Sequence, residues 1–157
     1  AYLPTVETAT LKIASVQVIP CWTHPTNGPI DREDFLKIVD SAGLSRTFGL
    51  EILRTAFSDR KGWPAESRDN VKLTIRLMAS HLTHEDTARA VLDTLATAQI
   101  PPSMVCFEIV EFIITGLDQQ SVATLNHLHD SGVDLSIAKL VRVTTPSELP
   151  EPYQPAS

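Results

Sequence analysis

Nowhere does this sequence of 157 residues hold an apolar run long enough to cross a bilayer, and it opens on no signal-peptide pattern. Cysteine is scarce. Cys21 and Cys106 lie far apart, with neither zinc-ligand nor CxxC spacing. Both have apolar neighbours, which points to buried, reduced thiols in a cytosolic protein rather than a disulfide. Basic runs are also missing. With 13 Lys and Arg against 19 Asp and Glu, the net charge of −6 argues against binding to a nucleic-acid polymer. There is no glycine-rich phosphate loop, no Rossmann fingerprint and no internal repeat, and nothing in the sequence requires a cofactor.

What remains is ordinary for a globular protein: 43% hydrophobic and 20% charged residues, enough chain for one domain with a real core. The first residue is Ala1 rather than Met, as in an excised domain. Val16–Ile19 reads as a strand closed by Pro20, and the turn formers of Thr23–Pro29 as a loop. Asp31 is placed to cap a helix that carries Phe35, Leu36, Ile38 and Val39 and ends at Gly43. A second helix runs from about Arg46 to Phe57, with Phe48, Ile52, Leu53 and Ala56 on one face, and Trp63-Pro64 opens a loop. Val71, Leu73, Ile75 and Leu77 alternate with Lys72, Thr74 and Arg76, which is a strand pattern.

Thr83-His84-Glu85-Asp86 resembles a capping box opening a helix to about Ala98. Pro101-Pro102 breaks the chain before a strand at Val105–Val110. Gln119–Asp130 reads as a helix ended by Gly132, followed by strand segments within Val133–Val143. Residues 144–157, rich in proline, are expected to form an extended, mobile tail, so the domain spans 1–143. Strands alternating with helices of about a dozen residues indicate an α/β fold with a mainly parallel sheet.

Met104–Ile114 is apolar except for Glu108 and Glu111. An unpaired carboxylate taken out of water costs several kcal/mol, so Glu108 needs a metal, a cation or a hydrogen-bond network. Its partner decides the chemistry. Of the histidines, His24 is expected to bond its own loop backbone, while His81 and His84 flank a turn as solvent groups or caps. His127 and His129 cannot share a helix face. Met78 and Met104 read as core, and Ser80 and Ser136 have no recognisable His and Asp partners.

Several segments together resemble the EAL domain, a bacterial fold that typically hydrolyses cyclic di-GMP. Tyr2-Leu3-Pro4-Thr5-Val6 is similar to the family's opening Tyr-Gln-Pro-Ile-Val. Trp22-Thr23-His24-Pro25, with Gly28 and Ile30, resembles its Trp-x-His-Pro-x-x-Gly-x-Ile loop. Phe35, Gly43-Leu44 and Gly49–Ala56 keep the spacing of the next two helices. Ile100-Pro101-Pro102 leading to Phe107-Glu108-Ile109-Val110-Glu111 is similar to Pro-x-x-Leu-x-Leu-Glu-Ile-Thr-Glu, and Leu125, Leu128 and Gly132-Val133 continue the match. The resemblance covers residues 2 to about 137 and implies a TIM-like barrel of parallel strands and helices.

Where the chain departs from the family, the departures fall on the residues that would do chemistry. The position of the family's first metal-binding glutamate is Gln17, and that of an asparagine ligand is Arg76. The later Asp-Asp pair aligns with Ala138-Lys139. A second alignment instead puts Ala138–Arg142 on the family's Leu-Lys-Ile-Asp-Arg, which would make Lys139 the active-site lysine. Nucleotide contacts become Leu3 and Cys21, the latter beside Trp22. Glu108 alone remains of the metal ligands, and Arg76 or Lys139 is expected to take the metal's place beside it. Two-metal hydrolysis needs several oxygen ligands, so the resemblance implies a degenerate, non-enzymatic domain. A full barrel takes roughly 200 residues or more, so the expected architecture is a partial or rearranged barrel, with a homodimer as one way to cover its open edge. The expected role is regulation by binding another protein, through the sheet edge or the Arg46–Phe57 helix. The alternative is a receptor that holds cyclic di-GMP without cleaving it, which Leu3 and Cys21 disfavour.

Overall fold

Alternation in the central strand decides how the molecule is layered. Leu73, Ile75 and Leu77 point to one side of the sheet and are buried, while Lys72, Thr74 and Arg76 point to the other and are half-exposed. The computed structural model describes residues 1–110, 114 and 116–138. Its strands are β1 (Tyr2–Val6), β2 (Ile13–Val18), β3 (Trp22–His24), β4 (Gly28–Ile30), β5 (Lys72–Leu77), β6 (Val105–Val110) and β7 (Asp134–Ala138). Its helices are α1 (Arg32–Ser41), α2 (Ser45–Lys61), α3 (Ala65–Asn70), α4 (Ala79–Leu82), α5 (Thr87–Ala98) and α6 (Gln119–Asp130), with a 3-10 turn at Pro102–Met104.

The main sheet has the order β1-β2-β5-β6-β7. Its first pair is antiparallel and the other three are parallel. Helices α2, α5 and α6 pack on the Leu73 side, where Phe57, Phe107, Leu95 and Leu128 are almost entirely buried. Each such side chain contributes roughly 1.5–3 kcal/mol through removal from water. The opposite face of the sheet carries Gln17, Arg76, Glu108 and Ser136. In a closed barrel of this winding, that face would line the interior. The result is a mixed α/β architecture with mostly parallel strands, and among the described residues the sheet is an open part of a barrel with helices on its outer side.

Several elements differ from the expectations. The Thr23–Pro29 segment is not a loop but the tip of the β3–β4 hairpin, in which Trp22 pairs with Ile30 and His24 with Gly28. Helix α2 runs four residues beyond Phe57. Pro64, read as part of a loop, occupies the N-cap position of α3, where its lack of an N–H costs nothing. The expected capping box does not form. Asp86 flanks α5 without a side-chain cap and instead pairs with Arg46 at 2.5 Å, while the Thr83 hydroxyl donates to the Ser80 carbonyl. Asp31 does cap α1, accepting from the Glu33 N–H at 2.8 Å. Glu111, Lys139 and the expected tail lie outside the described residues.

Candidate functional site

Parallel register brings the candidate residues together. Arg76 on β5 lies directly opposite Glu108 on β6, and Glu108 opposite Ser136 on β7. Gln17 on β2 is opposite Thr74, one pleat short of Arg76 on the same face. Three donors converge on a single carboxylate oxygen. Glu108 Oε2 accepts from Gln17 Nε2 at 2.9 Å and from Arg76 Nε at 2.7 Å, and Arg76 Nη2 lies 2.7 Å from it. The Glu108 side chain is 19% exposed and that of Arg76 38%. Of the two cations expected beside Glu108, Arg76 is there, reaching one oxygen side-on rather than forking across both. Below this triad, Lys72 pairs with Asp134 across the sheet, and the Cys106 thiol lies 3.4 Å from the Ser136 hydroxyl.

The donor set at Glu108 does not suit a divalent cation. Hard cations bind several oxygens. Here the groups on Glu108 Oε2 are a guanidinium and an amide nitrogen, donors that occupy that oxygen where a metal would need oxygen ligands. Among the described residues no three His, Cys, Asp or Glu side chains gather in a metal-binding arrangement.

The other candidates scatter. Leu3 lies opposite Gln17 on the same face of the sheet and is 54% exposed. Ala138 sits at the end of β7, opposite Val110. Cys21, between β2 and β3, is exposed rather than buried; Cys106 is half-buried, and both thiols are free. Trp22 is 39% exposed and packs edge-to-face on His24 and Phe35. His24 bonds its own turn, with Nδ1 accepting from the Thr26 and Asn27 N–H groups. Met78 and Met104 are only half-buried, so neither belongs to the core.

Sequence reasoning reads His81 as a solvent group or a cap. It does cap α4, its ring accepting from the N-cap backbone at Met78, but it is buried at 8% exposure and packed against Gly49 of α2, which the sequence does not signal. Its Nδ1 accepts from the Met78 N–H, which leaves the ring proton on Nε2, where no acceptor pairs with it. Burial pushes its pKa down to about 4, partly offset by the charge of Asp40. The Asp40 carboxyl is held below the usual carboxylate range by the hydroxyls of Ser80 and Ser45. Beside this cluster, at the carboxyl ends of β2 and β5, an open cleft of about 440 Å³ is lined in part by Gln17, Arg32, Lys37, Asp40, Arg76 and Ser80.

Among known proteins, the sequence model of the EAL domain matches residues 1–145. An uncharacterized protein of Azorhizobium caulinodans is 26% identical over 140 residues, covering 87% of this chain and 19% of that protein. The cyclic di-GMP phosphodiesterase NbdA of Pseudomonas aeruginosa is 22% identical over 136 residues, covering 87% of this chain and 17% of NbdA. The solved structure of the PaMucR phosphodiesterase in complex with c-di-GMP superposes with a TM-score of 0.78 at 24% identity, over 87% of this chain and 55% of that one. The chain thus spans about a fifth of the length of the curated relatives it matches. Among the described residues, no helix is long and apolar enough to cross a membrane.

Proposed function

Because this chain belongs to the EAL domain family, we propose that it is a catalytically silent member that serves cyclic di-GMP signalling by binding another protein. The observation that carries this reading is the Arg76 guanidinium on Glu108 Oε2 at 2.7 Å. A fixed positive charge at that distance repels a divalent cation and blocks its approach to the carboxylate. Gln17 acts in the same sense, since its amide donates to the oxygen that a metal would need. On this reading Gln17, Arg76, Glu108, Ala138 and Lys139 mark the place of a former metal centre, and Leu3, Cys21 and Trp22 that of former nucleotide contacts. The free thiols Cys21 and Cys106 agree with a reducing, cytoplasmic setting.

A second reading has its own observation. The cleft beside Arg76 also holds Arg32 and Lys37, cations that could face phosphates, so the domain would be a receptor for uncleaved cyclic di-GMP. Leu3 and Cys21, both exposed where the resemblance places nucleotide contacts, count against it. One experiment addresses both readings: the chain is incubated with cyclic di-GMP and Mg²⁺ or Mn²⁺, products are separated by chromatography, and binding is measured by calorimetry. The expected result is no turnover and no saturable heat. Metal-dependent turnover would overturn catalytic silence, and binding at micromolar strength or better would favour the receptor.

A further inference from the structure

Helices α1 and α2 do not close over the end of β2, and between them lies an open groove of about 510 Å³. Its floor is aromatic. Trp22 meets Phe35 at 6.4 Å between ring centroids, and Phe35 meets Phe48 at 5.9 Å, both edge-to-face. Two large apolar side chains on its walls face water, Ile38 at 55% exposure and Trp22 at 39%. Along α2 the groove follows Phe48, Glu51 and Asp59, positions near multiples of a helical turn and therefore on one face. From Phe48 to Asp59 that face is about 16 Å long.

The charged side chains at the groove are acidic. Glu51 and Asp59 line it, and among the described residues no lysine or arginine side chain does. Glu51 is only loosely engaged by Arg54, at 3.6 Å on an exposed surface where such a pair holds little energy. Asp59 accepts from the Tyr2 hydroxyl through one oxygen. The Ala1 amino group, also at the groove, donates to the Ile19 carbonyl.

We propose that this groove receives a short amphipathic helix of a partner protein, with apolar residues facing Trp22, Ile38 and Phe48 and lysine or arginine set beside Glu51 and Asp59. The inference rests on the reading that the chain works by binding protein, and it names the partner's chemistry. A helix of about three turns matches the groove's length, and laying an apolar stripe into an apolar groove is a common way for proteins to recognise helices. The acidic rim adds selectivity, because a helix with acidic flanks would set like charges against each other.

The test uses synthetic peptides: an amphipathic helix built from Leu and Lys at helical spacing, and its counterpart with Glu in place of Lys. Each is titrated into isotope-labelled protein while the amide resonances are followed. Saturable binding of the Lys peptide, with shifts concentrated at Phe48, Glu51, Ile52 and Thr55 and at the Trp22 indole, is expected. I38D and E51K should each weaken it roughly tenfold, as loss of a central contact does. Both positions are exposed, so the variants should keep the wild-type circular dichroism spectrum, and E51K tests charge without touching the floor. Equal binding of the Glu peptide, shifts centred elsewhere, or variants that bind like wild type would overturn the proposal. So would a concentration-dependent dimer that I38D abolishes, since the occupant would then be a second copy of the chain. Turnover of cyclic di-GMP would sink catalytic silence and leave the groove untouched; peptide failure without turnover would sink the groove alone.

Discussion

His81 is kept neutral by its surroundings, and this makes the fold sensitive to acid in a definite window. Its folded-state pKa of about 4 lies below the ordinary value of 6.5. Above pH 6.5 the imidazole is neutral in both folded and unfolded chains, so it adds no pH dependence. Between 6.5 and 4 the unfolded chain binds a proton that the folded chain refuses, and stability falls as the solution is acidified. The full effect is about 3 kcal/mol. Asp40 faces the ring with a charge that favours protonation, but the cost of burying the charged imidazole outweighs it. Following the His81 ring protons by NMR should show no titration down to about pH 5; a midpoint near 6.5 would refute its neutral burial. The burial was not legible in the sequence, where a histidine flanking a turn reads equally as a solvent group or a cap, and only the cap is realised. Glu108 was legible, because a carboxylate in an apolar strand demands a partner whatever the fold. Which partner it takes depends on the register of β5 against β6, and periodicity within a single strand carries no register.

At the scale of elements, α2 shows the same dependence on what lies opposite. Its apolar spacing announces the helix and its buried face, yet Gly49 in its middle weakens helix propensity by about 1 kcal/mol relative to alanine. The reason lies in α4: a Cβ at Gly49 would stand 3.2 Å from His81 Nε2 and 3.3 Å from its Cε1. The ring cannot easily retreat, since it is buried and its Nδ1 is fixed by the Met78 N–H. G49A is therefore expected to destabilise the protein by about 1–3 kcal/mol, overpacking outweighing the gain in propensity. In a double-mutant cycle by urea unfolding, G49A in an H81A background should cost less or even stabilise. Equal costs in both backgrounds would mean that His81 does not hold the glycine in place. The strands with buried, alternating faces, β5 and β6, were readable almost to the residue for the same reason that α2 was. The β3–β4 hairpin was not, because Thr23–Pro29 is so rich in turn formers that its short flanking strands leave no periodicity.

For the molecule as a whole, the sheet's first edge is guarded. Ala1 and Ile19 exchange both of their backbone hydrogen bonds. Antiparallel alternation then turns the backbone groups of Leu3 and Thr5 inward to β2, and those of Tyr2 and Pro4 outward. Pro4 has no N–H, so the middle of the outer edge lacks a donor, and the register shift between Thr5 and Val6 irregularises its end. These are devices that keep an edge strand from adding another. A homodimer formed by pairing β1 with its symmetry mate is therefore disfavoured, although Leu3 and Val6 expose apolar surface there. Replacing the proline supplies the missing donor: P4V is expected to self-associate at concentrations where the wild-type chain does not gain mass through β1. Sedimentation velocity over a concentration series reads the difference directly, with circular dichroism to confirm that the fold is kept. If P4V and wild type sediment alike at every concentration, Pro4 is not what protects the edge.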